Sequence, residues 1–212
     1  MRTLLIFVLM TLFIGCAKYV KTDVSVFHEL STPVTGFTYA IIPGSDQSES
    51  LEFHSYAALL KAELDKLGMA EMPESKAQYL IYMSYGTDNG RQVFSSHPVY
   101  GHTGIFGSFS TGSVVTRKNT ATYTGLTLNT PLYGVVGTET HSELLFSRFL
   151  TIDIVDRTGG SMRKVYEAKA LSIGDTAMLV TIIPAMIQSV FEDFPGQSGT
   201  TRSSRRALPE EK

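Results

Sequence analysis

The stretch that most narrows what this chain can fold into runs from Glu143 to Leu171. Leu144, Phe146, Leu150, Ile152 and Ile154 recur on one side, against Ser147, Thr151 and Asp153 on the other. That period of two belongs to a strand with one buried face. Asp156-Arg157-Thr158-Gly159-Gly160 then supplies turn residues, and Arg163 to Leu171 resumes an extended pattern. The spacing predicts an antiparallel hairpin, and a hairpin with an apolar face must be covered by other segments.

Those segments are legible on both sides of it. Val20 to Phe27 alternates Val20, Thr22, Val24 and Val26 with Lys21, Asp23 and Ser25, and Phe37 to Ile42 is rich in β-branched and aromatic residues, so an N-terminal hairpin is expected. Between Ser48 and Gly68, Phe53, Tyr56, Leu60 and Leu64 fall at helical steps. Ser48 or Ser50 suits the N-cap there, and Gly68 suits the left-handed C-cap. Tyr79 to Tyr85 is a continuous apolar strand suited to the middle of a sheet. A last helix is expected over about Asp175 to Asp193, with Ile182, Ile183, Met186, Ile187 and Val190 facing inward and Pro184 kinking it or opening its second half.

Residues 86 to 140 differ, holding nine of the 18 glycines and many Ser and Thr. They read as a β-ribbon with flexible tips, strands lying near Arg91 to Tyr100 and Val114 to Thr124. The order β-β-α-β, ribbon, β-β-α predicts an α+β fold: an antiparallel sheet with two helices packed on one face and a glycine-rich β-ribbon extension. Phe94, Tyr100, Phe106, Phe109, Tyr123 and Tyr133 lie along the ribbon, either as its own packing or as a surface for a partner.

The N-terminus carries an address. Met1-Arg2 precedes an apolar run from Thr3 to Ile14, too short for a membrane span, and Gly15-Cys16 follows. Leu12-Phe13-Ile14-Gly15-Cys16 resembles a bacterial lipobox, with Phe13 where Leu is usual. The resemblance implies cleavage before Cys16 and acylation of its sulfur and new amino group, and multiple acyl chains anchor stably where one does not. Ala17 after the cysteine resembles the outer-membrane sorting pattern. The expected organisation is a signal peptide over 1–15, one domain over 16–196, and a mobile tail over 197–212.

Composition and the remaining motifs exclude several functions. The 212 residues carry 18 Lys and Arg against 20 Asp and Glu with no basic stripe, which argues against nucleic-acid binding. One cysteine precludes an internal disulfide and a cysteine-rich metal site. His97 and His102 lack metal-ligand spacing, His54 cannot meet Glu52 or Ser55 across a helix face, and no Gly-x-Ser-x-Gly occurs. Asp46, Glu49 and Glu52 suit a helix N-terminus. Gly101-His102-Thr103-Gly104 lacks the lysine of a phosphate loop. No cofactor, metal site or catalytic set is expected.

The lipobox ending at Cys16, the strands Val20 to Phe27, Phe37-Thr38-Tyr39-Ala40 and Tyr79 to Tyr85, and the closing Phe191-Glu192-Asp193-Phe194-Pro195-Gly196 together resemble the bacterial lipoprotein family called domain of unknown function 4136. The resemblance implies an envelope lipoprotein with no assigned catalytic residues. The expected function is a non-enzymatic interaction or structural module, lipid-anchored through Cys16 on the periplasmic face of the outer membrane and meeting an envelope protein partner. The alternative is a carrier of lipid or another small apolar ligand, lined by Met178, Met186 and the Tyr79 to Tyr85 strand.

Overall fold

The structure is a computed structural model that describes residues 18–44, 47–118 and 120–208. Cys16, Ala17, Asp46 and the N-terminal apolar run lie outside the described residues. The chain divides into two compact units, one made of the residues up to Arg91 and from Leu145 onward, the other of Gln92–Leu144.

In the first unit the strands are β1 (Tyr19–His28), β2 (Thr38–Ile42), β3 (Ala70–Glu71), β4 (Tyr79–Thr87), β7 (Arg163–Gly174) and β8 (Thr200–Ala207), together with the last part of β6 (Thr120–Asp156). The helices are α1 (Leu51–Lys66) and α2 (Leu179–Phe191). The strand order is β3-β2-β4-β6-β7-β1-β8, and β5 (Arg91–Arg117) pairs with β6 outside that path.

The class is α+β, but the expected antiparallel sheet is corrected: the sheet is mixed. β2 runs parallel to β3 and to β4, with Tyr39 opposite Tyr79 and Ile42 opposite Tyr82. A parallel pair needs a crossover, and α1 supplies it between β2 and β4. The N-terminal hairpin is corrected with it. β1 lies between β7 and β8, both antiparallel to it, and does not pair with β2. The connection from His28 to Thr38 is longer than a hairpin loop normally allows.

The β6–β7 hairpin forms where its sequence predicts it. Ile152 faces Ala168 and Leu150 faces Ala170. At the turn, Asp156 Oδ1 accepts bonds from the Thr158 amide at 2.7 Å and hydroxyl at 2.8 Å, and Gly159 and Gly160 take φ of +82° and +80°. Helix α1 starts on Ser50, whose hydroxyl accepts from the Phe53 amide at 3.2 Å. It ends before Gly68 at φ +76°, where an added Cβ would stand 2.9 Å from Thr35 Cγ2.

One face of the sheet carries the core. Ile81, Leu150, Ile152, Ile154, Ala168 and Val24 are buried in a single cluster with Leu60 and Leu64 of α1 and Ile182, Ile183 and Met186 of α2, so both helices pack on the same face. Full burial of each such aliphatic side chain contributes about 1.5–3 kcal/mol. At the same level Arg148 is only 3% exposed. Its guanidinium donates to the Thr176 carbonyl at 3.1 Å and the Ser172 hydroxyl at 3.0 Å. A Cβ at Gly174 would stand 2.5 Å from its Nη2, so a side chain there would displace the guanidinium. Burial pushes the Arg148 pKa down from the ordinary arginine range, opposed by the nearby Asp175.

Within the expected tail over 197–212, the part described is also corrected. Thr200–Ala207 is an ordered edge strand in register with β1, Val26 opposite Thr200 and Val20 opposite Arg206. Its residues are polar, but they have partners. Arg202 donates to the Ser189 carbonyl and, at 3.1 Å, to the Val190 carbonyl near the end of α2. Glu192 accepts from the Ser204 hydroxyl at 2.7 Å and lies 3.4 Å from Arg202 and 3.3 Å from Arg206. Cationic donors at a helix C-terminus satisfy carbonyls the helix leaves unpaired.

Two stability outcomes follow from this packing. Ile152→Ala should lower stability by about 2–5 kcal/mol, read as a lower urea midpoint at unchanged slope. The Ser204 hydroxyl, and then Arg206 and Arg202, hold the Glu192 carboxyl below its ordinary value. A folded pKa below the unfolded one gives stability that is full above the ordinary carboxylate range and lost as pH falls through the lowered value. The loss of urea midpoint between pH 7 and pH 3 should therefore be smaller in Glu192→Gln than in the parent chain.

Candidate functional site

The second unit is a two-stranded ribbon formed by β5 and the first part of β6. The expected ribbon is present, with much longer strands than the two short segments the sequence suggested. Side-chain bonds place its strands antiparallel: Ser96 to Thr140 at 3.3 Å, Thr103 to the Leu132 carbonyl at 3.1 Å, and Ser110 to Thr127 at 3.0 Å. Thr-Thr and Ser-Thr neighbours of this kind suit a pleated surface, whereas the many glycines add no packing of their own.

The six aromatic residues singled out as a partner surface, Phe94, Tyr100, Phe106, Phe109, Tyr123 and Tyr133, all lie on this ribbon and are each between 63% and 79% exposed. They do not form a ribbon core. Tyr133 meets the His102 ring edge-on at 5.8 Å, and Tyr123 covers Gly112. The sequence reading missed an aliphatic set on the same ribbon: Val99, Ile105, Leu126, Leu128, Leu132 and Val136 are exposed as well or nearly so. The alternation Leu126-Thr127-Leu128-Asn129 is the signal that would have found it. Exposed apolar residues scattered singly are ordinary, but a contiguous set of this size marks a surface that meets something other than water.

Titratable groups on the ribbon are few. His97 and His141 have ring centroids 6.2 Å apart, and His141 Nε2 lies 3.4 Å from Glu139 Oε1, with both side chains exposed. The nearby Ser96 hydroxyl pairs with Thr140. Among the described residues no cluster of three or more His, Cys, Asp or Glu is arranged to hold a metal ion. His54 donates through Nε2–H to the Ser48 carbonyl oxygen at 3.1 Å, just before its own helix.

Two clefts mark the first unit. One, of about 270 Å³, is lined by Phe27, His28, Glu29, Lys164, Tyr166 and Glu167, among others. Its charges neutralise one another or their neighbours: Lys164 Nζ lies 2.7 Å from Asp153 and 3.4 Å from Glu167. Burial pushes the Tyr166 phenol up, opposed by Arg202. The other, of about 380 Å³, is lined by Ile42, Gln47, Tyr82, Ser84, Thr151 and Asp153, among others. Neither cleft contains Met178 or Met186. Met186 is fully buried in the core and Met178 is 54% exposed. The ribbon is therefore the strongest candidate site.

Comparison with known proteins assigns a family and no activity. No curated protein matches the chain. A PDZ domain protein from Parabacteroides distasonis is similar over 89% of this chain at 14% identity, with a TM-score of 0.43, and the match spans 39% of that protein's length. The PelC dodecamer from Paraburkholderia phytofirmans is similar over 84% of this chain and 99% of PelC at 10% identity, TM-score 0.41. A family match runs over residues 21–196, from the second residue of the alternating β1 pattern to the glycine closing Phe194-Pro195-Gly196, and by it this chain belongs to the family of the domain of unknown function 4136.

Proposed function

We propose that this protein is a cell-envelope lipoprotein, tethered through Cys16, whose ribbon is a non-enzymatic contact surface for a partner in the envelope. The observation that carries the reading is the ribbon itself: six aromatic side chains, each more than half exposed, on a strand pair with few ionisable groups. Aromatic side chains bury large areas at low entropic cost, and for this reason they dominate contact surfaces.

The anchor is supported by sequence. Arg2, the apolar run to Ile14, Gly15 and the single Cys16 stand in the order a lipidated precursor requires. Among the described residues no helix is long and apolar enough to cross a membrane. Ala17 after the cysteine favours the outer membrane, with the domain facing the periplasm.

Metabolic labelling with radioactive palmitate tests the anchor. The parent chain should take up label that Cys16→Ser loses entirely, and equal labelling of the two would end the lipoprotein reading. A photoreactive residue at Tyr100 or Phe106 in intact envelopes should give cross-linked adducts, and monomer alone would count against a contact role for the ribbon.

A further inference from the structure

The composition of the ribbon departs from the rest of the chain in one respect. From Gln92 to Thr116, and again from 120 to 138, there is no Asp, Glu, Lys or Arg, in a chain that is 18% charged. Charges stand only at the two ends, Arg91, Glu139 and Glu143 at one and Arg117 and Lys118 at the other. Each charge-free stretch exceeds the roughly 9–11 residues that a tilted strand needs to cross a bilayer. A surface made only for water or for a soluble partner has no reason to exclude charge over such a length and to place it at both ends.

The two faces also differ. A Cβ at Gly101 would touch Val136, and one at Gly134 would touch Thr103, which puts these four on one face. Alternation places Val99, Ile105, Leu126, Leu128 and Leu132 with them. On the other face Ser110 bonds to Thr127, the His102 ring meets Tyr133, and Tyr123 covers Gly112. Alternation adds Ser108 and Asn129 there. One face thus carries the aliphatic residues and Phe109 among threonine hydroxyls and glycines, and the other carries the remaining aromatics with Ser, Thr, His and Asn, and with Val114 and Val135. Membrane strands alternate in this way between lipid and a polar lumen.

Among the described residues β5 pairs with β6 alone, and β6 takes β4 and β7 as partners only from Phe146 onward. Through the ribbon, each strand therefore presents an outer row of backbone N–H and C=O groups. Hydrocarbon tolerates such edges only when they are closed on other strands. One ribbon has two strands, whereas the smallest membrane barrels have about eight, so closure requires about four copies or more.

We propose that copies of this chain join edge to edge through their ribbons, and that the joined ribbons cross a lipid bilayer as a closed β-barrel, with the Leu126, Leu128 and Leu132 face toward lipid and the Ser110, Thr127 and Asn129 face toward a lumen. This rests on the ribbon being the contact surface, and it names the partners as further copies and the bilayer.

The chain has no tryptophan, so a single introduced one reports its own surroundings. Leu128→Trp and Asn129→Trp are placed in the full lipidated protein and reconstituted in phosphatidylcholine–phosphatidylglycerol vesicles with or without chain-brominated phosphatidylcholine. The brominated lipid should quench most of the emission of Leu128→Trp and leave that of Asn129→Trp largely unchanged, and aqueous acrylamide should do the reverse. Quenching of both by acrylamide alone would place the ribbon in water and overturn the proposal, as would quenching of both by brominated lipid, which leaves no lumen. The unsubstituted protein, cross-linked in the same vesicles, should give a ladder reaching four copies or more, and a ladder ending at monomer or dimer overturns the barrel independently of any folding defect in the variants. Palmitate labelling of Cys16 with adducts to a different protein, but without lipid quenching, would leave the earlier reading standing and remove this one. Lipid quenching without labelling would do the opposite.

Discussion

The hydrogen-bonding of β6 is the constraint on which the rest of this structure depends. Over its last part it has partners on both sides, Ile152 opposite both Met83 of β4 and Ala168 of β7. That double pairing makes it an interior strand and leaves its side chains only the two sheet faces to occupy. Over its first part the same strand has β5 on one side and no further strand among the described pairings. An interior strand is self-sufficient. A strand with an open edge over many residues needs short length, charge or cover to avoid pairing with other chains, and here it has neither short length nor charge.

The doubly paired part organises a core that depends on no disulfide. Leu150, Ile152 and Ile154 point to one face, and α1 and α2 cover that face. Arg148, two residues before Leu150 on the same face, would be costly there without its bonds to Ser172 and Thr176, because a buried guanidinium must be hydrogen-bonded to offset lost hydration. β8, at one edge of the sheet, is tied to the helix layer through Arg202, which donates to carbonyls near the end of α2, and through Ser204, which donates to Glu192 just after it. Buried or edge polar side chains are thus each satisfied by main-chain, hydroxyl or carboxylate oxygens.

These features explain what the sequence disclosed. The β6–β7 hairpin and α1 were legible because their information is local: a period of two with a turn rich in Asp and Gly, and a period of 3.6 with Ser50 and Gly68 at its ends. The parallel pairing of β2 with β4 was less visible, although the β-α-β order around α1 favours a crossover; nothing within Phe37 to Ile42 specifies which strand it meets. β8 was invisible to hydrophobic periodicity, since Thr200–Ala207 carries Ser and Arg where apolar residues would mark a buried face, and its order comes from pairing with the distant β1. In the ribbon the aromatics were apparent, whereas the strand lengths were obscured by glycine and the aliphatic face by its spacing among threonines. Cys16 remains a reading from sequence alone.

Charge is distributed differently in the two units. The surface of the first unit is laced with ion pairs, Lys61 with Glu71 at 2.8 Å, Arg163 with Glu29 at 2.7 Å and Lys66 with Glu63 at 2.8 Å. Exposed pairs of this kind add little stability, about 0–1 kcal/mol each, but they keep a surface wet and discourage indiscriminate contact. The ribbon forgoes them over nearly its whole length, and a lone two-stranded hairpin is marginal in water even with favourable cross-strand pairs. Its order must therefore be completed by an environment that supplies edge partners and accepts Leu126, Leu128 and Leu132 on the outside. A bilayer crossed by several copies supplies both at once, since neighbouring ribbons satisfy the backbone and acyl chains take the aliphatic face.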